Sequence, residues 1–168
     1  KANEEIKKLA GQLTGGKITG MPGPGQQQST SAKSASTGIK PEAITKENIL
    51  AIADRFYNRS YRELDAVTKS KFNSDLKAAG DADFSLESVR NLASNGGVHL
   101  TFGTDHHIAC VYIAAAVKAF PTDTLSVNNF GAYLRNIDST VISIPVLLYA
   151  NKLFSQSPLI LTQLGNSY

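Results

Sequence analysis

The chain of 168 residues has one cysteine, one methionine and no tryptophan. A lone Cys110 excludes an internal disulfide, and with it the stapled scaffold of a small secreted domain. Long hydrophobic runs are missing too. The apolar stretch over residues 141–150 is interrupted by Ser143 and Pro145 and is too short to cross a bilayer, so no membrane role is expected. The opening "KANEEIKK" is charged where a signal peptide would be apolar. It lacks an initiator Met, and the expectation is a processed or trimmed product whose natural ends lie outside this window.

Catalytic patterns are equally scarce. There is no GxSxG elbow, no GxxxxGK[ST] or GxGxxG loop and no HExxH order. "MPGPG" has loop glycines, but its prolines remove the N–H groups that a phosphate cradle needs. The acidic residues are scattered rather than paired in apolar settings, so no acid/base couple stands out. One cluster invites a metal: His106 and Cys110 stand at i and i+4 after Asp105 and His107, and His99 precedes them as a possible third ligand. With a single Cys and no further His or Cys pair, the expectation is no metal and no cofactor. Cys110 lies within the most apolar segment, where a thiol is normally buried and inert. A non-enzymatic protein is expected.

What is present is organisation. Residues 1–40 carry six lysines and two glutamates, a balance of +4, whereas residues 41–168 carry eleven Lys or Arg against twelve Asp or Glu, a balance of −1. The basic surplus of the chain belongs to its leading part. There, "NEEIKKLAGQL" sets Ile6, Leu9 and Leu13 at helical spacing, a short helix over residues 1–13 that needs something to dock on. Residues 14–40, rich in Gly, Pro, Gln, Ser and Thr, read as a flexible arm.

From residue 41 the punctuation is that of helices. Thr45 is placed to cap a helix whose inner face is Ile49, Ile52, Ala53, Phe56 and Tyr57. "SYRE", residues 60–63, has the form of a capping box and is read as the start of a second helix, with Leu64, Val67, Phe72 and Leu76 inward and Gly80 at its end. Ser85 caps a third, which "NGG" closes. Thr104 caps the helix "DHHIACVYIAAAVKAF", apolar nearly all round and therefore central. Ser126 caps the next, "VISI" before Pro145 has room to be a short extended piece, and Pro145 and Pro158 open the last two helices. The fold class expected is all-α: a compact helical domain over residues 41–168 behind a long flexible N-terminal arm.

Two features point to a job. "DRFYNRSYRELD" spaces Arg55, Arg59 and Arg62 at i, i+4 and i+7, with Tyr57 and Tyr61 between them. Arginines in a row hold phosphates and aromatics stack on bases. The plainer reading is a solvated face whose arginines pair locally with Asp54, Glu63 and Asp65. Arg135, in apolar company, calls for an anionic partner, either a carboxylate such as Asp138 or a phosphate. The second feature is residues 139–168, whose only charged side chain is Lys152. A surface that apolar marks a contact site, so a second subunit, or an arm from one, is expected to cover part of it.

The polar arm "GMPGPGQQQSTSAKSAST", with "IAAAVKAF" and "NNFGAYLRNIDS" as core, resembles in plan the coat and nucleocapsid proteins of flexible filamentous plant RNA viruses. The resemblance implies a helical core that binds single-stranded RNA, arms that reach neighbouring subunits, and a place in a virion or the host cytoplasm. The RNA contacts nominated from the residues are Arg55, Arg59, Arg62, Tyr57, Tyr61 and Arg135. The alternative is a non-enzymatic helical protein-interaction domain with a disordered tether.

Overall fold

A computed structural model describes residues 43–168. The short helix expected over residues 1–13 and the arm over 14–40 lie outside the described residues. Those described form seven helices and no strand: α1 (Lys46–Glu63), α2 (Ala66–Asp81), α3 (Leu86–Phe102), α4 (His106–Ala119), α5 (Thr124–Asn136), α6 (Thr140–Leu153) and α7 (Pro158–Gly165). The all-α body is as expected.

α4 is the centre. Every residue from Ala109 to Val117 is buried, as an all-round apolar helix requires. One side of it, through Ala109, Cys110, Ile113, Ala114 and Val117, joins a core built with α1, α5, α6 and α7. The other, through Val111, Tyr112, Ala115 and Ala116, joins a smaller core with α2 and α3. Phe72 is the heart of the smaller core. Its ring meets Tyr112 edge-on at 5.0 Å and packs on Tyr57 and Tyr61 at 6.0 and 6.1 Å. Tyr112 also donates its hydroxyl to Asp75 at 2.5 Å, which fastens α2 to α4.

Several caps are where the sequence places them. Thr45 accepts from the Asn48 amide, Ser85 from the Ser88 amide, and Pro158 is the first residue of α7. Five local readings are corrected, and in four of them a tertiary contact or a stronger cap supplies the reason. Ser60 starts no helix: α1 runs through it, and Ser60 is buried facing His107, whose Nδ1 lies 3.3 Å from the Ser60 hydroxyl. The break comes at Asp65, which accepts from the Thr68 amide at 2.8 Å, and with that later start Val67 points outward, 80% exposed. "NGG" does not end α3, which continues to Phe102. A Cβ on Gly96 would fall on Ile113 Cγ1 and within 3.1 Å of the Ala109 carbonyl, so a glycine is what lets α3 cross α4 closely. Asp105, not Thr104, caps α4. Asp123, not Ser126, caps α5: its buried carboxylate accepts from the Ser126 amide and hydroxyl and from Arg90 Nε at 3.1 Å.

The fifth correction is "VISI" and Pro145, which lie inside α6. Pro145 has no N–H to give the Val141 carbonyl, but Val141 is exposed and that carbonyl can turn to water. The first turns are held instead by Ser143, whose hydroxyl donates to the Gly131 carbonyl at 2.8 Å. Gly131 admits Leu147, which would lie 2.5 Å from a Cβ there.

Two outcomes test this packing. Gly96→Ala should cost about 1–3 kcal/mol, toward the upper end because α4 backbone cannot give way, read as a lowered urea midpoint. Asp75 is pushed up by partial burial, but the bonds from Tyr112 and Lys71 outweigh this and hold its carboxyl below the usual value. Its contribution is therefore full above about pH 4 and disappears as pH falls through the lowered folded value. Asp75→Asn should make the thermal midpoint less sensitive to pH below about 4.

Candidate nucleic-acid interface

Because α1 is unbroken from Lys46 to Glu63, Arg55, Arg59 and Arg62 stand along one side of one helix. Arg55 is half-buried; Arg59 and Arg62 are exposed. Of the carboxylates expected to neutralise them, Asp54 and Asp65 are committed elsewhere, and exposed Glu63 makes no ion pair among the described residues. Asp54 takes Lys118 at 2.6 Å and the Asn58 amide at 2.9 Å, and Asp65 caps α2. Among the described residues, Arg59 and Arg62 make no ion pair. Arg59 instead lies near a buried polar group formed by Ser60, Cys110 and Tyr133.

The tyrosines are not on that side. With about 100° per residue, Tyr57 stands about 160° round the helix from Arg59. The Tyr57 and Tyr61 rings stack on each other at 5.7 Å, pack on Phe72, and are covered by Lys118 (4.5 Å) and Lys69 (5.7 Å). Burial, then the neighbouring Tyr61 and Asp54, push the Tyr57 phenol up. Both rings are half-buried against Phe72, and the structure does not bring them to the arginine row.

Arg135 closes α5, and its Nη1 donates to Gln163 Oε1 of α7 at 2.6 Å. Its expected partner Asp138 sits in a left-handed turn (φ 57°) and is not bonded to it. A neutral amide occupies one donor of the guanidinium, and among the described residues no carboxylate meets the others.

The histidines and Cys110 disperse. The His99 ring stacks on Tyr112 at 5.8 Å, His107 faces Ser60, and His106 is exposed. Burial pushes the Cys110 thiol up, with bonding to Ser60 and Tyr133 acting against it, and this keeps the sulfur protonated at neutral pH. Tyr133 is pushed up likewise, by burial first and Cys110 second. Among the described residues no three of His, Cys, Asp and Glu gather where a metal ion could sit.

Apolar side chains are left open in the folded body within residues 139–168, the segment whose lack of charge pointed to an uncovered surface. Phe154, Leu159 and Tyr168 are 61%, 51% and 77% exposed, and Leu161 is 49% exposed. The apolar composition of residues 139–168 signals an uncovered surface, but not which side chains form it. No protein-family model, curated protein or solved structure matches this chain.

Proposed function

We propose that this chain is a structural, self-assembling coat or nucleocapsid protein that polymerises and encloses single-stranded RNA. Its partners are further copies of itself and the RNA, and its place is the virion or the host cytoplasm. The observation that carries the reading is the edge formed by α7 and the end of α6. Residues 139–168 have Lys152 as their only charge, and the fold covers Val146, Leu147, Ile160 and Leu164 while leaving Phe154, Leu159 and Leu161 about half or more open. An edge that is apolar and nearly uncharged is suited to burial against another copy. The arginine row of α1 supports an RNA contact, since Arg59 and Arg62 carry charge that the body does not neutralise. Phosphates are a natural complement to such a row.

The charge of −1 over residues 41–168 favours the second reading, a helical protein-interaction domain with no nucleic acid. The two differ in what copurifies with the protein.

Deleting residues 157–168 would remove buried Ile160 and Leu164 as well as the Arg135–Gln163 bond, and so would confuse assembly with folding. Leu159→Glu with Leu161→Glu avoids this. The expected outcome is a helical spectrum like that of the parent and loss of large sedimenting particles with excess ultraviolet absorbance. A folded double variant that still forms those particles removes the edge from the assembly. Separately, replacing Arg55, Arg59 and Arg62 with Gln should weaken single-stranded RNA binding across sequences. The slope of log affinity against log salt should become less steep by about 2, at roughly 0.7 per lost phosphate contact. An unchanged slope assigns the row to solvent.

A further inference from the structure

On the other flank of α1 from the arginine row lies a cleft of about 250 Å³, lined by Tyr57, Leu76, Phe84, Ala115, Lys118 and Ala119. Its walls are rings, a leucine and two alanines. Its one charge, Lys118, is already met by Asp54 at 2.6 Å. Such a lining has little to offer a polar small molecule and suits aliphatic side chains. The turn from α2 to α3 forms its mouth. Asp83 and Phe84 both adopt left-handed backbone there (φ 51° and 46°), costly for side chains of this size. The Phe84 amide is tied back to the Ala79 carbonyl at 2.9 Å, and its ring stays 39% exposed. Leu86 beyond it is 43% exposed. The same turn is acidic: Asp81 is paired with Lys77, while Asp83 and Glu87 are exposed and make no ion pair among the described residues.

We propose that this cleft receives residues 1–13 of a neighbouring copy; the inference rests on the self-assembly reading above. That segment has the matching chemistry. Ile6, Leu9 and Leu13 recur at helical spacing, and Lys7 and Lys8 lie between them, opposite in sign to Asp83 and Glu87, while Glu4 and Glu5 leave the segment with a net charge of +1 (three Lys, two Glu). The leading forty residues carry +4 against −1 for the remainder, so the attraction is general as well as local. Length is sufficient. Residues 14–42 number 29, and the backbone dimensions of 29 residues allow a reach of up to about 95 Å, well beyond the roughly 27 Å of α1 itself. A segment of one copy in a cleft of the next is a head-to-tail contact, which builds a polymer where its rotation does not close a ring.

The test uses full chains. Gln12→Cys is placed in one preparation and Ala119→Cys in another, and the two are mixed with a short thiol crosslinker; buried, protonated Cys110 serves as an internal control. The expected product is a linked heterodimer, roughly tenfold above the yield when Ser94→Cys, on the exposed side of α3, replaces the cleft position. Adding Asp83→Lys and Glu87→Lys, both at exposed sites, should bring the yield down to the Ser94 level with the helical spectrum unchanged. Equal yields at Ala119 and Ser94 overturn the proposal. So does a chain carrying both cysteines that links only to itself. Sedimentation of the parent protein keeps the two readings apart. Large particles without preferential crosslinking retain the assembly and reject this contact, whereas crosslinked species with no larger particles support the contact and reject the coat.

Discussion

α4 has no outside. Nine consecutive residues, Ala109 to Val117, are buried, and a helix in that position must be enclosed on every side. The remaining architecture follows from the enclosure. α1, α3 and α5 lie along it, and α2 is fastened to it through Tyr112, leaving the two cores on opposite sides of one shared helix. Small residues make the arrangement tight: Ala109, Ala114, Ala115 and Ala116 on α4 face neighbours that include Gly96, where the backbones cross. α6 and α7 come afterwards in both sequence and layer. They pack chiefly on α5 and on each other, and among the described residues no further element covers their outer sides. Apolar exposure at Phe154, Leu159 and Leu161 is a consequence of position in the layering rather than a defect of the core.

That layering explains which parts of the fold were legible. The helical class, the central helix and the caps at Thr45, Ser85 and Pro158 depend on neighbours within a few residues, and sequence reveals them. Ser60, "NGG" and Pro145 are misleading for one shared reason. Each is a local terminator overridden by a partner distant in sequence: His107 and the core for Ser60, α4 for Gly96, Gly131 and Leu147 for the first turns of α6. Asp123 outcompetes Ser126 because a carboxylate can accept two bonds from Ser126 and one from Arg90 at once. In the candidate interface, the spacing of the arginines was legible because it needs only a continuous helix. The facing of Tyr57 and Tyr61 was not, since it depends on Phe72 arriving from α2. Neither the amide partner of Arg135 nor the cleft at Phe84 has a local signature, and consecutive left-handed residues without glycine have none at all.

The net charge of the body conceals more than it states. Among its carboxylates, Asp54 and Asp75 are held in pairs, Asp65 in a cap and Asp123 in both, so they do not oppose the cations of α1. Arg59 and Arg62 keep their charge on one flank while Asp83 and Glu87 keep theirs at the α2–α3 turn. A balance of −1 is thus the sum of separate faces with opposite character, and a long-range view of the protein as weakly anionic would describe neither.

The placing of those faces constrains how they can be used together. Arg59 and Tyr57 stand on opposite flanks of α1, so an anion held by the arginines and a segment seated in the Tyr57 cleft would not compete for space. The uncharged edge at α7 is a third and separate surface, linked to the arginines of the body only through Arg135 and Gln163. A self-complementary patch would pair two copies about a twofold axis and stop there. Here the surfaces differ in kind: a cationic row, an acidic apolar cleft, and an edge with almost no charge. Where unlike surfaces meet, the contact is head to tail, and unless its rotation closes a ring it leaves each new copy with the same free ends as the last. Under the proposed assembly, such a contact would repeat the arginine row in every copy.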